Sequence, residues 1–293
     1  MKKCTLCPRE CNVNRSEKTG VCGMTDVMRI GWAAPHMFEE PCISGTKGSG
    51  TVFFSGCSLR CVFCQNYPLW AENVGKNITT AELAEIISSL ENCHNVSFVT
   101  GTHYTPQIAK ALEIARPKVP TVWNSSAYEK TQTLSLLKDK INIYLPDLKY
   151  FDSDLSLKFS GAADYFEAAS KAISEMVLQR GKPEFDGDGI MQSGVIVRHL
   201  VLPSHIQDSK KILSYLHTEY GNDIYVSIMR QYTPMRECVY PELMRKLTSY
   251  EYDKVLDFAD KTGITHAYIQ EKGCEDSSFT PEFTSNINLK NFL

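Results

Sequence analysis

From Thr51 onward, short runs of β-branched and aromatic residues alternate with longer stretches whose apolar positions recur every three or four residues. The runs near 51–55, 95–100, 120–124, 141–146, 194–201, 223–229 and 265–270 are rich in Val, Ile, Phe and Tyr and predict strands. After the first of them, Leu83, Ile86, Ile87 and Leu90 fall on one helical face, behind Thr79 and Glu82 at the spacing of a capping box. Residues 163–179 and 209–220 repeat the helical period. Strand alternating with helix implies parallel pairing through right-handed crossovers, so an α/β sheet that curls toward a barrel is expected. Ligands then gather at the carboxyl ends of the strands.

Before Thr51 this pattern is absent. Residues 1–50 are expected to form a small cysteine-rich lobe, ending in the turn-rich linker from Ser44 to Gly50. The barrel is expected over 51–270 and a polar tail over 271–293. A chain of 293 residues, 43% hydrophobic, can bury one large core with a small appendage. Lys and Arg number 31 against 34 Asp and Glu, a formal charge of -3, with no long basic run; nucleic acid is therefore not expected as the main partner. Met1-Lys2-Lys3 leads into Cys4 rather than an apolar stretch, and no segment approaches the roughly 18 apolar residues of a membrane span, so a cytoplasmic protein is expected. There, the 11 cysteines read as metal ligands and buried thiols rather than disulfides.

The chemistry concentrates in Gly56-Cys57-Ser58-Leu59-Arg60-Cys61-Val62-Phe63-Cys64-Gln65-Asn66, directly after the first strand. Three thiolates on one tight loop can hold three irons of a cubane and leave the fourth open. An open position separates a reactive metal centre from a structural one. The competing reading, zinc completed by His36, Cys42 or Cys93, explains neither the gap of three and then two residues nor the aromatic Phe63. Cys4, Cys7, Cys11 and Cys22 form a second group, sufficient for one closed zinc site or one saturated iron-sulfur cluster. Cys42, Cys93, Cys238 and Cys274 are scattered and read as buried or adventitious. Asp186-Gly187-Asp188-Gly189 lacks the later acid of a calcium loop and reads as a hairpin turn.

The cysteine triad with Phe63 resembles the motif of the radical S-adenosylmethionine superfamily. Cys64-Gln65-Asn66, Pro146-Asp147-Leu148-Lys149 and Val197-Arg198-His199-Leu200-Val201-Leu202-Pro203 are similar, in order and placement, to stretches of pyruvate formate-lyase-activating enzymes. Over residues 1–270 the chain resembles a branch of homologues of those activators that carries a cysteine-rich N-terminal extension. The resemblance implies an incomplete parallel (β/α)6-type barrel and a 4Fe-4S cluster on Cys57, Cys61 and Cys64, with S-adenosylmethionine on the open iron. It implies an anaerobic oxidoreductase that cleaves S-adenosylmethionine reductively and abstracts a hydrogen atom, with a flavodoxin- or ferredoxin-type reductant. The substrate would be a backbone glycine of a glycyl radical enzyme, another peptide or a small metabolite.

The same resemblance assigns the remaining candidates. Phe98-Val99-Thr100-Gly101-Thr102-His103 stands where the activating enzymes carry Gly-Gly-Glu, so Thr100 and Thr102 are expected to contact the cofactor's amino group. His103 is expected to face the mouth and orient a ligand or relay a proton. Phe63 and Asn66 flank the last cysteine of the triad, and Asn124 and Ser126 suit ribose hydroxyls. Strand alternation aims Asp147 and Lys149 into one mouth, beside the methionine half of the cofactor and a cation. Arg198 fits either the methionine carboxylate or a structural pair with Asp147. Gln231 and Tyr232 are expected to reach the mouth from the next strand. Outside enzymes, the alternatives are an iron-sulfur electron carrier and a zinc-stabilised binding module; a carrier has no use for a site-differentiated cluster.

Overall fold

The computed structural model describes residues 3–274 and 280–283. Its elements begin with β1 (Met28–His36), α1 (Pro41–Ser44), β2 (Ser49–Phe54), α2 (Tyr67–Ala71), β3 (Lys76–Ile78), α3 (Thr80–Ser89) and β4 (Asn95–Val99). They continue with α4 (Thr105–Ala115), β5 (Thr121–Ser125), α5 (Thr131–Leu134), β6 (Ile143–Pro146), α6 (Ser153–Ser160) and α7 (Tyr165–Arg180). The last are β7 (Glu184–Phe185), β8 (Met191–Leu200), α8 (Ile206–Tyr220), β9 (Tyr225–Met229), α9 (Ser249–Thr262) and β10 (Ala267–Ile269). The expected capping box opens α3: Glu82 N–H donates to Thr79 Oγ1 at 3.2 Å and Thr79 N–H to Glu82 Oε2 at 2.7 Å. Asp186 Oδ1 accepts from the Asp188 and Ile190 N–H groups, the hairpin turn joining β7 to β8.

One unclosed α/β sheet runs in the order β10-β9-β8-β6-β5-β4-β2-β1-β3, with β7 beside β8. The pairings from β2 to β10 along this path are parallel, and β1 and β3 add antiparallel strands at the other end. Every residue of β2, β4, β5 and β6 is buried, as expected for parallel strands covered on both faces. Alternation sends Phe54, Phe98, Trp123, Tyr144, Val195 and Val197 into the main core with the helices, and Val122, Ile143, Leu145 and Ile196 to the concave face.

The concave face is filled from the N-terminal side. β1 lies within the stretch expected to form a separate lobe, yet it pairs with β2 over Ile30 to His36, so the sheet extends across residue 50. The connection between them turns inward: Cys42 and Ile43 of α1 pack on Val122, Ile143, Leu145, Met191 and Ile196. Asn95 fixes this plug, its Nδ2 donating to Ile43 O at 2.7 Å while its Oδ1 accepts from Ser49 Oγ at 2.6 Å. Ile43 is 0% exposed. Ile43→Ala is therefore expected to cost about 2–5 kcal/mol through lost burial and a cavity the sheet cannot close, read as a lower urea midpoint with unchanged slope.

Residues 4–27 contain no helix or strand and are held by hydrogen bonds. Arg9 donates to Ser58 O at 2.9 Å, to Ser160 O at 2.8 Å and to Gly161 O, so one guanidinium caps α6 and grips the cysteine loop. Arg15, 6% exposed, donates to the carbonyls of Met24, Thr25 and His103. Among the described residues, no helix is long and apolar enough to cross a membrane.

Candidate active site

The cysteine loop leaves the carboxyl end of β2 through Gly56, whose φ of +85° suits glycine. A Cβ there would stand 2.3 Å from Met24 Cγ and 2.9 Å from Cys22 O, so the N-terminal segment packs directly on the bare backbone. Cys57 N–H donates to Cys22 O at 3.1 Å, and Val62 N–H to Phe159 O at 2.9 Å. Phe63 is 8% exposed and meets Tyr150, Phe159 and Tyr232 edge-on with ring centroids 6.1–6.3 Å apart. The aromatic thus roots the loop in the core, with the three cysteines on the side that lines the cavity.

Cys57, Cys61 and Cys64 open on a cavity of about 500 Å³. Burial, then Cys61 and Cys57, push the Cys64 thiol up to about 12, and burial raises Cys61 as well. Without a metal these thiols hold their protons, and as thiolates they need a cation to share. Among the described residues, no group of three or more His, Cys, Asp or Glu side chains is drawn together tightly enough for one metal ion. The donor set of the loop suits a cubane, whose ligands sit on separate irons rather than around one centre.

The strand ends form the opposite wall. Asp147 bridges Arg198 in parallel register, Arg198 pairs with Ser227, and Ser227 with Tyr268, so backbone geometry alone places these four in one row facing the cavity. Arg198 Nε donates to Asp147 Oδ1 at 2.9 Å, its NH1 to Glu39 Oε2 at 3.1 Å and its NH2 to Asn124 Oδ1 at 2.6 Å. Lys149 Nζ reaches Asp147 Oδ2 at 2.7 Å. Burial acts against the Asp147 carboxylate, but Arg198 and Lys149 outweigh it and hold its pKa below the usual value. Burial likewise acts against the Lys149 ammonium, and Asp147 and Cys61 reverse the balance and raise it. Tyr165 steadies the corner: its hydroxyl accepts from Lys149 N–H at 2.9 Å and lies 2.7 Å from Asp147 O and 2.9 Å from Ser126 O.

Of the candidates named from sequence, Cys57, Cys61, Cys64, Phe63, Asn66, Thr100, Asn124, Ser126, Asp147, Lys149 and Arg198 line this cavity. Thr102 and His103 do not, which corrects the expectation that His103 faces the mouth. After Thr100 the chain winds into a 3-10 turn, Thr102–Tyr104, that carries both inward. Thr102 Oγ1 donates to Glu129 Oε1 at 2.9 Å, and His103 Nε2 lies 2.8 Å from Ser55 O. Burial, then Arg15, lowers the His103 pKa to about 3, so it stays neutral and is no proton relay at ordinary pH. Thr100 itself has a φ of +61°, a strained conformation for a β-branched residue at the cavity wall. Gln231 lines the cavity, whereas Tyr232, 2% exposed, donates to Leu243 O beneath the loop.

Glu39 and Glu40 on the wall escaped sequence reasoning. They lie just before α1, where isolated polar residues in a turn carry no periodic signal. Burial raises the pKa of both acids, with Arg198 offsetting only part of the effect. In the N-terminal group, burial pushes Cys7 up to about 12 against a backbone hydrogen bond at Arg9, and Cys22, Cys4 and Cys11 raise it further.

Residues 51–185 match the family model of the Radical SAM superfamily. The uncharacterized protein MJ0674 of Methanocaldococcus jannaschii is 29% identical over 279 residues, covering 91% of this chain and 77% of the relative. The crystal structure of Streptococcus suis SuiB bound to S-adenosylmethionine aligns with a TM-score of 0.50 at 16% identity over 78% of this chain, a likeness of fold. This chain spans about half of SuiB, 51% of its length. A domain of pyruvate-formate lyase-activating enzyme from Bacteroides vulgatus aligns with a TM-score of 0.43 at 12% identity, over 57% of this chain and 92% of that domain.

Proposed function

We propose that this protein is a radical S-adenosylmethionine enzyme, with Cys57, Cys61 and Cys64 holding a 4Fe-4S cluster. The observation that carries the reading is the meeting of that triad, in one cavity, with a strand-end set of charged side chains able to hold a zwitterion. When bound, the cluster supplies the electron that cleaves S-adenosylmethionine to a 5'-deoxyadenosyl radical, which abstracts a hydrogen atom from the substrate. Lys149 binds the methionine carboxylate from beside Cys61, and Asp147 orients the Lys149 ammonium. Arg198 keeps Asp147 ionised and fixes Asn124, whose amide with Ser126 binds the ribose. Thr100 offers its backbone and hydroxyl to the cofactor's amino group. Asn66 closes the loop side, and Phe63 keeps the three thiolates at their spacing. Thr102 and His103 support these residues from behind the wall.

The test is iron and sulfide analysis of anaerobically prepared protein, with electron spin resonance of the reduced protein before and after S-adenosylmethionine is added. The expected result is a cluster signal altered by the cofactor, with 5'-deoxyadenosine and methionine formed under reduction. An unaltered signal and no cleavage would overturn the reading. A flavodoxin- or ferredoxin-type protein is the proposed physiological reductant. A backbone glycine of a glycyl radical enzyme is the substrate the activator resemblance supports, and Thr100-Gly101-Thr102 in place of Gly-Gly-Glu weighs against it.

Cys4, Cys7, Cys11 and Cys22 are proposed to hold a second metal, zinc or iron-sulfur, that supports a segment with no helix or strand of its own. Metal analysis is expected to find zinc or iron beyond the main cluster, lost when Cys7 and Cys22 are both changed to Ser. Free titration of all four thiols in native protein would count against it.

A further inference from the structure

Glu40 stands on the plug, on the floor side of the cavity, while the cysteine loop hangs over the carboxyl ends of the strands. Among the described residues, the buried and half-buried charges on the wall are Glu39, Glu40 and Asp147 against Lys149 and Arg198. The two cations are committed: Arg198 to Asp147, Glu39 and Asn124, and Lys149 to the second oxygen of Asp147. Glu40 is the carboxylate that makes no ion pair among the described residues. It is 8% exposed and its Oε2 reaches no donor, while Arg198, then Ser227 and its own backbone N–H, offset only part of the effect of burial. A buried carboxylate with one oxygen unmatched is costly, and a ligand cation seated there would supply what Arg198 does not. The same cavity wall carries aromatic rings, with His36 5.5 Å from Phe38 and 6.1 Å from Phe53 between ring centroids.

We propose that Glu40 is the seat of an alkylammonium group carried by the substrate, with the rings of His36, Phe38 and Phe53 flanking its alkyl stem. Only Oε2 is without a donor, and a single open oxygen suits the point charge of an ammonium rather than the two-pronged fork of a guanidinium. The aromatic faces add attraction for a cation that has left water. The inference rests on the reading above only for what fills the remainder of the cavity, S-adenosylmethionine under the cysteine loop.

The experiment is calorimetric titration of the reconstituted protein, saturated with S-adenosylmethionine and without reductant, using N-acetyl-lysine amide, N-acetyl-arginine amide and N-acetyl-norleucine amide. The lysine probe is expected to bind at least tenfold more tightly than the other two, and Glu40→Gln to remove that preference. Without any probe, Glu40→Gln should melt at a higher temperature than the parent, because it removes a buried acid whose Oε2 has no donor. Equal binding of the three probes, a preference unchanged in Glu40→Gln or a lower melting temperature would each overturn the proposal. Cleavage of S-adenosylmethionine on adding dithionite, measured in the same preparation, separates the two readings. Cleavage without lysine preference refutes this inference alone, and Glu40-dependent lysine binding without cleavage refutes the radical reading alone.

Discussion

Replacing Cys57, Cys61 or Cys64 singly with Ala is expected to reduce cleavage of S-adenosylmethionine to the uncatalysed background. On the proposed reading each thiolate anchors one of only three ligated irons, and a cluster left with two protein ligands has lost the arrangement that keeps one iron for the cofactor. The loop itself should survive the change. Its position is set by Phe63 among Tyr150, Phe159 and Tyr232, by the Val62 and Cys57 hydrogen bonds and by Arg9, none of which uses a sulfur. Far-ultraviolet circular dichroism and the urea midpoint should therefore stay near the parent while iron content and 5'-deoxyadenosine fall together. Persistent 5'-deoxyadenosine formation by the triple variant would sink the catalytic assignment.

Arg198→Ala is expected to have the largest effect on stability of any single change at the site. The guanidinium joins Asp147, Glu39 and Asn124 from three separate elements, with side-chain exposures of 14% for Arg198, 15% for Asp147 and 7% for Glu39. Removing it leaves two buried carboxylates without their main counter-charge, which costs about 3–5 kcal/mol. Asp147→Asn is milder, because the amide still accepts one hydrogen bond, but it releases Lys149 from its partner. A lost charge-assisted bond is worth about 1.5–3 kcal/mol, so S-adenosylmethionine should bind at least roughly tenfold more weakly to Asp147→Asn, at unchanged iron content. Equilibrium dialysis with the cofactor and urea titration separate the two effects. Unchanged affinity in both variants would mark the group as a structural pair.

The parallel strands were legible because burial on both faces leaves continuous apolar runs, and the cysteine loop because its spacing has a chemical reason. What escaped shares one physical cause. β1 contains Gly31 and Pro35 and pairs antiparallel at the far side of β2, while α1 spans four residues, too few for any helical period to show. Glu39 and Glu40 then look like ordinary surface polarity, and only the packing of Ile43 on the concave face reveals that their segment enters the barrel. His103 failed for another reason. Its place was carried over from the Gly-Gly-Glu segment of the activating enzymes, whereas here the positive φ of Thr100 and the 3-10 turn that follows carry the side chain inward.

The plug has an implication for descent. The floor at Glu39 and Glu40 and the buttress at Cys22 and Met24 all precede residue 51, where the superfamily match begins. On the proposed reading, much of the pocket that chooses the target, at His36, Phe38 and Glu40, is encoded ahead of the stretch that makes the radical, with Phe53 at the border between them. A change of diet can then begin within the leading fifty codons, provided Glu39 stays in place for Arg198.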